Sequence, residues 1–514
     1  MKYFLTLIQL WVGFLSICAS YPKANIWIIP SVESPQVYRN YAQTSKVHLE
    51  MARGEVEHIQ LVFPSKVNEE YRFTFDRYLK GIQISARELK KMNGYYDALV
   101  PFKNQLKCTD TLTAVWITVQ CPSRVPVGKY HQTIKIEGSK HFTIQLDYNV
   151  HHTTIPLKSS IPITVGVENR CVAEGLNDKE ADKERQRWVD FVLSYRMTPV
   201  FGTQITPERW QYEHSFSPWA WNDKRSIRLL NDRRYSCYML PFFTLSENEL
   251  ASLLCNIQKK GKLKESLFYI WDEPAYMEDY EQIKRKVNII RKYASDARIL
   301  TTFFCGPRNG PRKGDLYAVF DYLKHHIHVA TISLAPCKGN EEEVQHIRYK
   351  VPEGIDWWSY VCWQPGGNEP NFLLQMKGIQ QRAVMWRTWK NGSQGFLYWN
   401  CNIYHKRNPF TYITDMPHGD GILIYPGDIL GRKGPIASAR LERWRDGAEE
   451  MELLRLVEKN YSKEKADTLL NIVYSSPLSF IEKAHNIPFF RKELLDQLDK
   501  TIPIDYKLRI TDFI

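Results

Sequence analysis

The fold is decided by the stretch Leu267-Phe268-Tyr269-Ile270-Trp271-Asp272-Glu273-Pro274, in which an apolar run ends in two carboxylates. The run Leu267–Trp271 is rich in β-forming residues and predicts a buried strand. Catalysts of α/β barrels lie where such strands end, and glycoside hydrolysis needs two carboxyl groups. An Asp-Glu pair is also common in solvated turns and at helix starts. The surrounding pattern must therefore decide between the two interpretations.

Seven other runs share this strand-like character, and helical patterns lie between most of them. The eight strand candidates are Ile163–Val167, Thr198–Thr203, Cys237–Phe243, Leu267–Trp271, Ile299–Phe304, His328–Leu334, Trp357–Trp363 and Gly395–Cys401. Among the helical signals, Ser246 and Glu249 match a capping box. The weakest connection, Glu341 to Arg348, separates the sixth and seventh strands. Eight alternating units over residues 159–445 predict an α/β fold, a (β/α)8 TIM-like barrel with Asp272 and Glu273 after its fourth strand.

The regions on either side of this barrel have different patterns. Residues 21–158 contain short strands rich in Val, Ile, Thr and aromatic residues, separated by turns, which predicts an antiparallel β-sandwich domain. Residues 446–514 have a helical period and predict a C-terminal helical extension. We expect the acidic run Glu449, Glu450 and Glu452 to lie on a solvated helix face.

The first twenty residues have the pattern of a secretory signal peptide. Lys2 is followed by an apolar stretch, Phe4 to Leu15, and by small residues before Tyr21. Cys18 offers an alternative, lipidation, against which the bulky Ile17 argues. No later segment is long and apolar enough to span a membrane. We therefore expect a secreted or otherwise extracytoplasmic protein, whether periplasmic, surface-tethered or lysosomal.

The amino-acid composition favours some classes of function and disfavours others. Aromatic residues make up 13% of the chain, with 15 Trp and 29 Tyr, which suits a protein that stacks sugar rings and equally suits large aromatic cores. The formal charge of +12 is scattered among acidic residues, which disfavours nucleic acid as a partner. The His residues lack metal-ligand spacing, and phosphate-loop and dinucleotide motifs are missing, so we expect no metal and no cofactor. Cys108 and Cys121 flank a hairpin-like stretch and are the best disulfide candidates.

Polar and aromatic residues near three other strand ends are candidates for binding a sugar. They are Asn169 after the first strand, Tyr360 and Trp363 in the seventh, and Tyr398, Trp399 and Asn400 in the eighth. Because side chains alternate along a strand, about half of these aromatic residues must pack outward against helices. The inward ones could form an apolar box around an acetamido group of a sugar.

These motifs resemble those of glycoside hydrolase family 123 and a related domain of unknown function, DUF4091. The resemblance rests on Trp271-Asp272-Glu273-Pro274 after an apolar strand, and on four further stretches. These are Arg382–Trp386 with Gly395–Trp399, Gly419-Asp420-Gly421 with Leu423–Gly427, Arg440–Glu450, and Gly54–Gln60. The resemblance covers nearly the whole mature chain, and it is most specific at the Asp-Glu pair and the last two strands.

The resemblance implies a β-N-acetylgalactosaminidase that works by substrate-assisted retention. In that mechanism the 2-acetamido group of the sugar attacks its own anomeric carbon, and such intramolecular attack reaches effective molarities of about 10⁵–10⁸ M. By match, Glu273 would be the general acid and then the base, and Asp272 would orient the acetamide N–H. Adjacent strand residues point apart, so the backbone must bend at Glu273-Pro274 for both to reach one sugar.

We therefore expect a secreted glycoside hydrolase that releases terminal β-linked N-acetylgalactosamine from a glycan or glycolipid. Two alternatives stay open, a hydrolase of another hexosaminide and a non-catalytic glycan-binding protein. Release of a reporter from an aryl glycoside separates the enzyme from the lectin. The sequence does not specify the oligomeric state.

Overall fold

The structure is a computed structural model that describes residues 25–76, 81–206, 211–404, 409–410 and 417–501. The predicted signal peptide, residues 1–20, lies outside the described residues. Every helix within the described ranges is too short or too polar to cross a bilayer.

The N-terminal part is a two-sheet sandwich whose inner faces carry alternating buried apolar residues, as in β10. Its strands are β1 (Trp27–Pro30), β2 (Lys46–Arg53), β3 (Val56–Pro64), β4 (Glu70–Phe75), β5 (Gln83–Met92), β6 (Tyr95–Pro101), β7 (Gln105–Lys107), β8 (Leu112–Gln120), β9 (Gly128–Glu137) and β10 (His141–Thr154). The two sheets have the orders β1-β3-β8-β5-β6 and β2-β10-β9-β4-β7. The predicted sandwich is confirmed, with one departure from the antiparallel rule, since β2 and β10 run parallel.

The central part alternates strands and helices. Its elements are β11 (Ile163–Glu168), α1 (Asn169–Ala173), α2 (Asp178–Ser194), β12 (Thr198–Thr206), β13 (Gln211–Ser215), α3 (Lys224–Leu229), β14 (Tyr238–Met239), α4 (Glu247–Lys259), β15 (Ser266–Trp271), α5 (Met277–Tyr293), β16 (Arg298–Phe303), α6 (Tyr317–Leu323), β17 (Val329–Ser333), α7 (Glu341–Lys350), β18 (Asp356–Val361), α8 (Gly378–Lys390) and β19 (Phe396–Tyr398). The capping box of Ser246 and Glu249 opens α4 as predicted. The weak connection at Glu341 is helix α7.

These strands form one nearly closed, barrel-like sheet in the order β13-β12-β11-β19-β18-β17-β16-β15-β14. All eight predicted strands are present, and they pair in parallel. The ninth, β13, was not predicted and runs antiparallel to β12. It lies at the seam, where the N–H of Phe216 donates to the carbonyl of Met239 at 2.7 Å. The sheet therefore differs from a regular eight-stranded barrel at the β12–β14 edge.

The C-terminal part closes the structure with helices. It contains β20 (Ile424–Pro426), β21 (Pro435–Ala437), α9 (Ala439–Asn460), α10 (Lys463–Leu470) and α11 (Ile487–Asp499). Helix α9 packs along α8 and continues without a break across the predicted domain boundary between residues 445 and 446. One apolar core joins this helix, the barrel-like sheet and the facing sandwich sheet.

The prediction that the acidic run of α9 faces solvent is wrong. Glu449, Glu450 and Glu452 are all almost completely buried. Each carboxylate has its own partners, and those partners come from distant parts of the chain. Arg196 and the N–H of Val56 donate to Glu449, Arg382 donates to Glu450, and Ser159 and the N–H of Ser160 donate to Glu452, at 2.6–3.0 Å.

This buried charge network spans the interface between sandwich and barrel. Arg491 of α11 lies 2.8 Å from Glu55 and 2.9 Å from Glu57 at the start of β3. Arg382 of α8 also lies 3.0 Å from Asp446. Charges can stay in such a dry interface only when they are paired and hydrogen-bonded, because desolvation costs several kcal/mol per ion. The network therefore holds both parts in a fixed arrangement.

The predicted Cys108–Cys121 disulfide is wrong. Both thiols are free and buried in the core of the sandwich. Free Cys behaves there as a small apolar residue, which accounts for its position in strand-rich sequence.

Candidate active site

Asp272 and Glu273 stand at the carboxyl end of β15, as predicted, where the backbone departs from a regular strand. The pairing of β15 with β16 shifts register between Tyr269 and Trp271. Glu273 then adopts a positive φ of 45°, in the left-handed region that non-glycine residues rarely occupy. The register shift and the left-handed residue together provide the predicted backbone bend. Strained backbone of this kind is typical of functional sites.

The Asp272 carboxylate is held by two hydroxyl groups. Tyr269 Oη donates to Asp272 Oδ1 at 2.7 Å, and Thr302 Oγ1 donates to the same oxygen at 2.8 Å. Thr302 comes from the neighbouring strand β16 and is buried. Both hydrogen bonds from the described residues end on Oδ1, which leaves Oδ2 to accept a hydrogen bond from a ligand.

The Glu273 carboxyl group is held by Tyr360, whose hydroxyl donates to Oε1. Glu273 is solvent-accessible at the mouth of the site, yet protein surrounds its carboxyl group on most sides. This desolvation, and secondly the negative charge of Asp272, raise the pKa of Glu273 to about 7. The Tyr360 hydrogen bond and the charge of Arg308 act in the opposite direction. Glu273 therefore keeps its proton to a higher pH than an ordinary carboxyl group does.

A small pocket with a cavity volume of about 60 Å³ opens beside Asp272. The pocket is lined by Thr164, Gly166, Val167, Val200, Gly202, Tyr212, His214, Tyr269, Asp272, Leu397, Tyr398, Trp399 and Asn400. Asp272 is the acidic residue in this lining.

One wall of the pocket is a row of rings. The imidazole of His214 stacks on Tyr269 with ring centroids 4.3 Å apart and an interplanar angle of 12°. Tyr212 lies beyond it, with its centroid 6.2 Å from that of His214. Burial lowers the pKa of His214 to about 3, so the ring is neutral. The wall therefore carries no positive charge from this ring.

The opposite wall is formed by the end of β19 and the residues after it. Trp399 Nε1 donates to Asp420 Oδ1 at 3.0 Å, and Tyr398 Oη donates to the same oxygen at 3.2 Å. Burial raises the pKa of Asp420 to about 6. Gly166 gives Trp399 room, because a Cβ there would meet the Trp399 carbonyl oxygen at 1.8 Å. The hydrogen bond to Asp420 thus orients the Trp399 indole, and Gly166 leaves room for the Trp399 backbone.

The structure brings some of the predicted sugar-binding residues to the pocket and leaves others outside it. Tyr398, Trp399 and Asn400 line the pocket with Asp272, whereas Tyr360 is outside this lining and donates a hydrogen bond to Glu273. Trp363 is 40% exposed and stacks on Phe304 at 6.4 Å, outside this lining. Asn169 is also outside the lining. Its amide donates to the Pro218 carbonyl and accepts from Arg185.

Four residues of the site were missed in the sequence. Thr302 and Tyr269 lie inside predicted strands, but regular alternation would put Tyr269 and Asp272 on opposite faces, and the register shift that brings them together has no sequence signal. His214 lies on β13, which the eight-strand pattern did not include. Asp420 belongs to the quoted Gly419-Asp420-Gly421 loop, but nothing in the sequence connects that loop with Trp399.

Within the described residues, groups of three or more His, Cys, Asp or Glu side chains that could hold a metal ion do not occur. The site offers a carboxyl group with a raised pKa, an oriented carboxylate and a ring-lined pocket. Two adjacent carboxyl groups at one strand end, one of them lining a pocket, are the equipment of glycoside hydrolysis.

Comparisons with known proteins agree with this chemistry. A model of the family "Glycoside hydrolase 123, catalytic domain" matches residues 183–457. The search of curated proteins gave no significant match. Among solved structures, the chain is similar to a family 123 glycoside hydrolase from Clostridium perfringens, described for glycolipid glycan hydrolysis. The TM-score is 0.65 at 14% identity, and the match covers 95% of this chain and 100% of that one.

An FMN-binding β-glucuronidase from Facaelibacterium prausnitzii matches with a TM-score of 0.33 and 10% identity, over 82% of this chain and 61% of that one. That likeness is too low to carry an argument. The clostridial structure shares the fold, and the family match spans more than half of the chain, including Asp272 and Glu273. The chain belongs to glycoside hydrolase family 123.

Proposed function

We propose that this glycoside hydrolase releases terminal β-linked N-acetylgalactosamine from glycans by substrate-assisted hydrolysis with retention of configuration. The observation that carries the proposal is the left-handed turn at Glu273, directly after Asp272, the acidic residue that lines the pocket. Their environments differ, since Glu273 has a raised pKa and Asp272 has one oxygen free of described partners. Such a pair suits an acid and an orienting carboxylate.

In the first step Glu273 protonates the glycosidic oxygen while the bond from that oxygen to the anomeric carbon breaks. Tyr360 occupies Oε1, so Oε2 is the oxygen available to carry the proton. The acetamide oxygen of the substrate attacks the same carbon, and an oxazolinium ion forms. The enzyme therefore needs no nucleophile of its own.

Asp272 assists by accepting the acetamide N–H on Oδ2. Its negative charge stabilises the positive charge that grows on that nitrogen, an effect of preorganised electrostatics. Tyr269 and Thr302 fix Oδ1 and so set the carboxylate plane before the substrate arrives. The ring wall and Trp399 would exclude water from the acetamido group.

In the second step ionised Glu273 takes a proton from water, and the water oxygen bonds to the anomeric carbon. The oxazolinium ring opens and the acetamido group is restored. Two inversions at one carbon give net retention. The first step leaves Glu273 ionised and the second returns its proton.

A glycolipid is the substrate class we favour, because the clostridial relative is described for glycolipid glycan hydrolysis. We also propose that residues 1–20 direct the protein out of the cytoplasm and are then removed. Mass spectrometry of the exported protein should find Tyr21 at its N-terminus, and an intact or lipid-modified Cys18 would contradict this part of the proposal.

A panel of aryl glycosides tests the function. Purified protein should release the aryl group from a β-N-acetylgalactosaminide faster than from a β-N-acetylglucosaminide or a β-galactoside. A thiazoline analogue of N-acetylgalactosamine should inhibit competitively and bind far more tightly than the free sugar, since it resembles the oxazolinium ion. A preference for the gluco epimer would make the protein a hydrolase of another hexosaminide. Binding without release would make it a lectin.

A further inference from the structure

The side chains on the two faces of strand β13 have different roles. Tyr212 and His214 line the active-site pocket, whereas Glu213 between them points to the other side. Glu213 is buried and accepts hydrogen bonds from the N–H groups of Phe242 and Thr244 at 2.8 and 2.7 Å. The segment after β14 thus anchors β13 at the seam of the sheet, and His214 is held on a fixed support.

His214 lines the same pocket as Asp272, and its ring contacts no carboxylate among the residues that the structure describes. Its ring stacks on Tyr269, whose hydroxyl donates to Asp272. Within the described ranges its ring nitrogens have no hydrogen-bond partner, although the side chain is half-buried and faces the pocket. An imidazole in such a setting is costly to leave unpaired when a ligand displaces water from the pocket.

The charge state of His214 limits what it can bind. Burial lowers its pKa to about 3, so at neutral pH the ring has one N–H donor and one nitrogen acceptor. A neutral ring cannot form an ion pair with a carboxylate or a sulfate. A hydroxyl group, which both donates and accepts, matches it at either nitrogen.

We infer that His214 binds a ring hydroxyl or hydroxymethyl group of the sugar in the pocket and thereby helps to select the hexosamine. The inference rests on the proposed function and adds a specificity residue to it. Because β13 stands outside the eight parallel strands, the element that supplies this residue is separate from the one that supplies the carboxyl pair. Substitutions in β13 should then change which sugar is bound, and substitutions at the carboxyl pair should change the rate of bond cleavage.

The test is a thermodynamic cycle that combines the substitution His214→Phe with removal of single hydroxyl groups from the sugar. Phenylalanine keeps the stack on Tyr269 and removes both nitrogens. kcat/KM is measured for an aryl β-N-acetylgalactosaminide and its 3-deoxy, 4-deoxy and 6-deoxy analogues, with dissociation constants of the corresponding free sugars from calorimetry. His214→Phe should weaken binding of the parent sugar about threefold to tenfold, the size of one neutral hydrogen bond. At one deoxy position the wild type should lose the same factor and the variant should lose nothing more.

Two further variants guard the interpretation. His214→Asn, which keeps a donor and an acceptor, should recover part of the loss, whereas a purely structural role would give no recovery. His325→Phe, at an exposed site away from the pocket, should behave as wild type.

The inference is overturned if all three deoxy losses are the same in His214→Phe as in wild type, within about twofold. If wild type binds the sugars but cleaves no glycoside, the proposed function fails and the calorimetric cycle still decides the role of His214. If wild type binds none of the sugars, both fail.

Discussion

Thr302 donates a hydrogen bond to the carboxylate of Asp272 at 2.8 Å and accepts one from the backbone N–H of Glu273 at 3.0 Å. One hydroxyl group on β16 thus fixes the side chain of the first carboxylate and the backbone of the second. The left-handed turn at Glu273 is stabilised by the neighbouring strand as well as by its own sequence.

Thr302→Val should therefore lower kcat by about 10-fold to 100-fold, in line with about 1.5–3 kcal/mol for a hydrogen bond to a charged group. Thr302→Ser keeps the hydroxyl and should retain most activity. Thr301→Val is the matched control, since Thr301 is buried on the same strand and its hydroxyl has no partner among the described residues. Equal kcat in Thr302→Val and wild type would show that the hydroxyl does not position Asp272.

Glu273→Gln should remove most activity on a natural glycan, because the amide cannot give a proton to the leaving oxygen. General acid catalysis contributes about 10²–10⁴-fold, and the loss should fall in that range. A dinitrophenyl glycoside departs without protonation, so its bond cleavage in the variant should stay near the wild-type rate in single-turnover kinetics. Equal losses on both substrates would exclude Glu273 as the acid.

The value of kcat/KM should fall as the pH rises past the pKa of Glu273, about 7, because the acid must be protonated to act. Asp272→Asn removes the negative charge that raises this pKa, so the alkaline limb of kcat/KM should move to lower pH. Tyr360→Phe removes a hydrogen bond that lowers it, so the limb should move to higher pH. Shifts in the same direction for both variants would contradict this assignment.

The buried charge network predicts a large loss of stability when one partner is removed. Arg382→Met keeps much of the side-chain volume but leaves Glu450 and Asp446 without their main cation. Urea unfolding should show a loss of about 3–5 kcal/mol. Lys492→Met removes an exposed i,i+4 pair with Asp496 on α11 and should cost under about 1 kcal/mol. A similar small loss for Arg382→Met would mean that the network is not stabilising.

The sequence predicted the parts of the fold that depend on local pattern. The eight parallel strands follow from short apolar runs between helical periods, and Asp272 and Glu273 could be placed because they end one of those runs. The bend at Glu273 was predictable from geometry alone, since adjacent strand residues diverge. These features can be predicted without knowing which distant residues they contact.

The failures concern residues whose environment is set by distant parts of the chain. The acidic residues of α9 matched the pattern of a solvated face, but they are buried, and Arg196 and Arg382 pair with two of them, Glu449 and Glu450. His214 has no local signal, because polar residues flank it on a strand that breaks the parallel order. Asn169 stands at a strand end, yet its hydrogen bonds to Pro218 and Arg185 keep its amide occupied.

The burial of α9 against the sandwich limits how this protein can be divided. A fragment beginning near residue 159 would keep Asp272, Glu273 and the whole pocket, but Glu449 would lose the N–H of Val56 and Arg491 would lose Glu55 and Glu57. In such a fragment, α9 and α11 would carry charged side chains that have lost their partners. The sandwich is thus not a detachable accessory module, and it cannot be exchanged without redesigning α9.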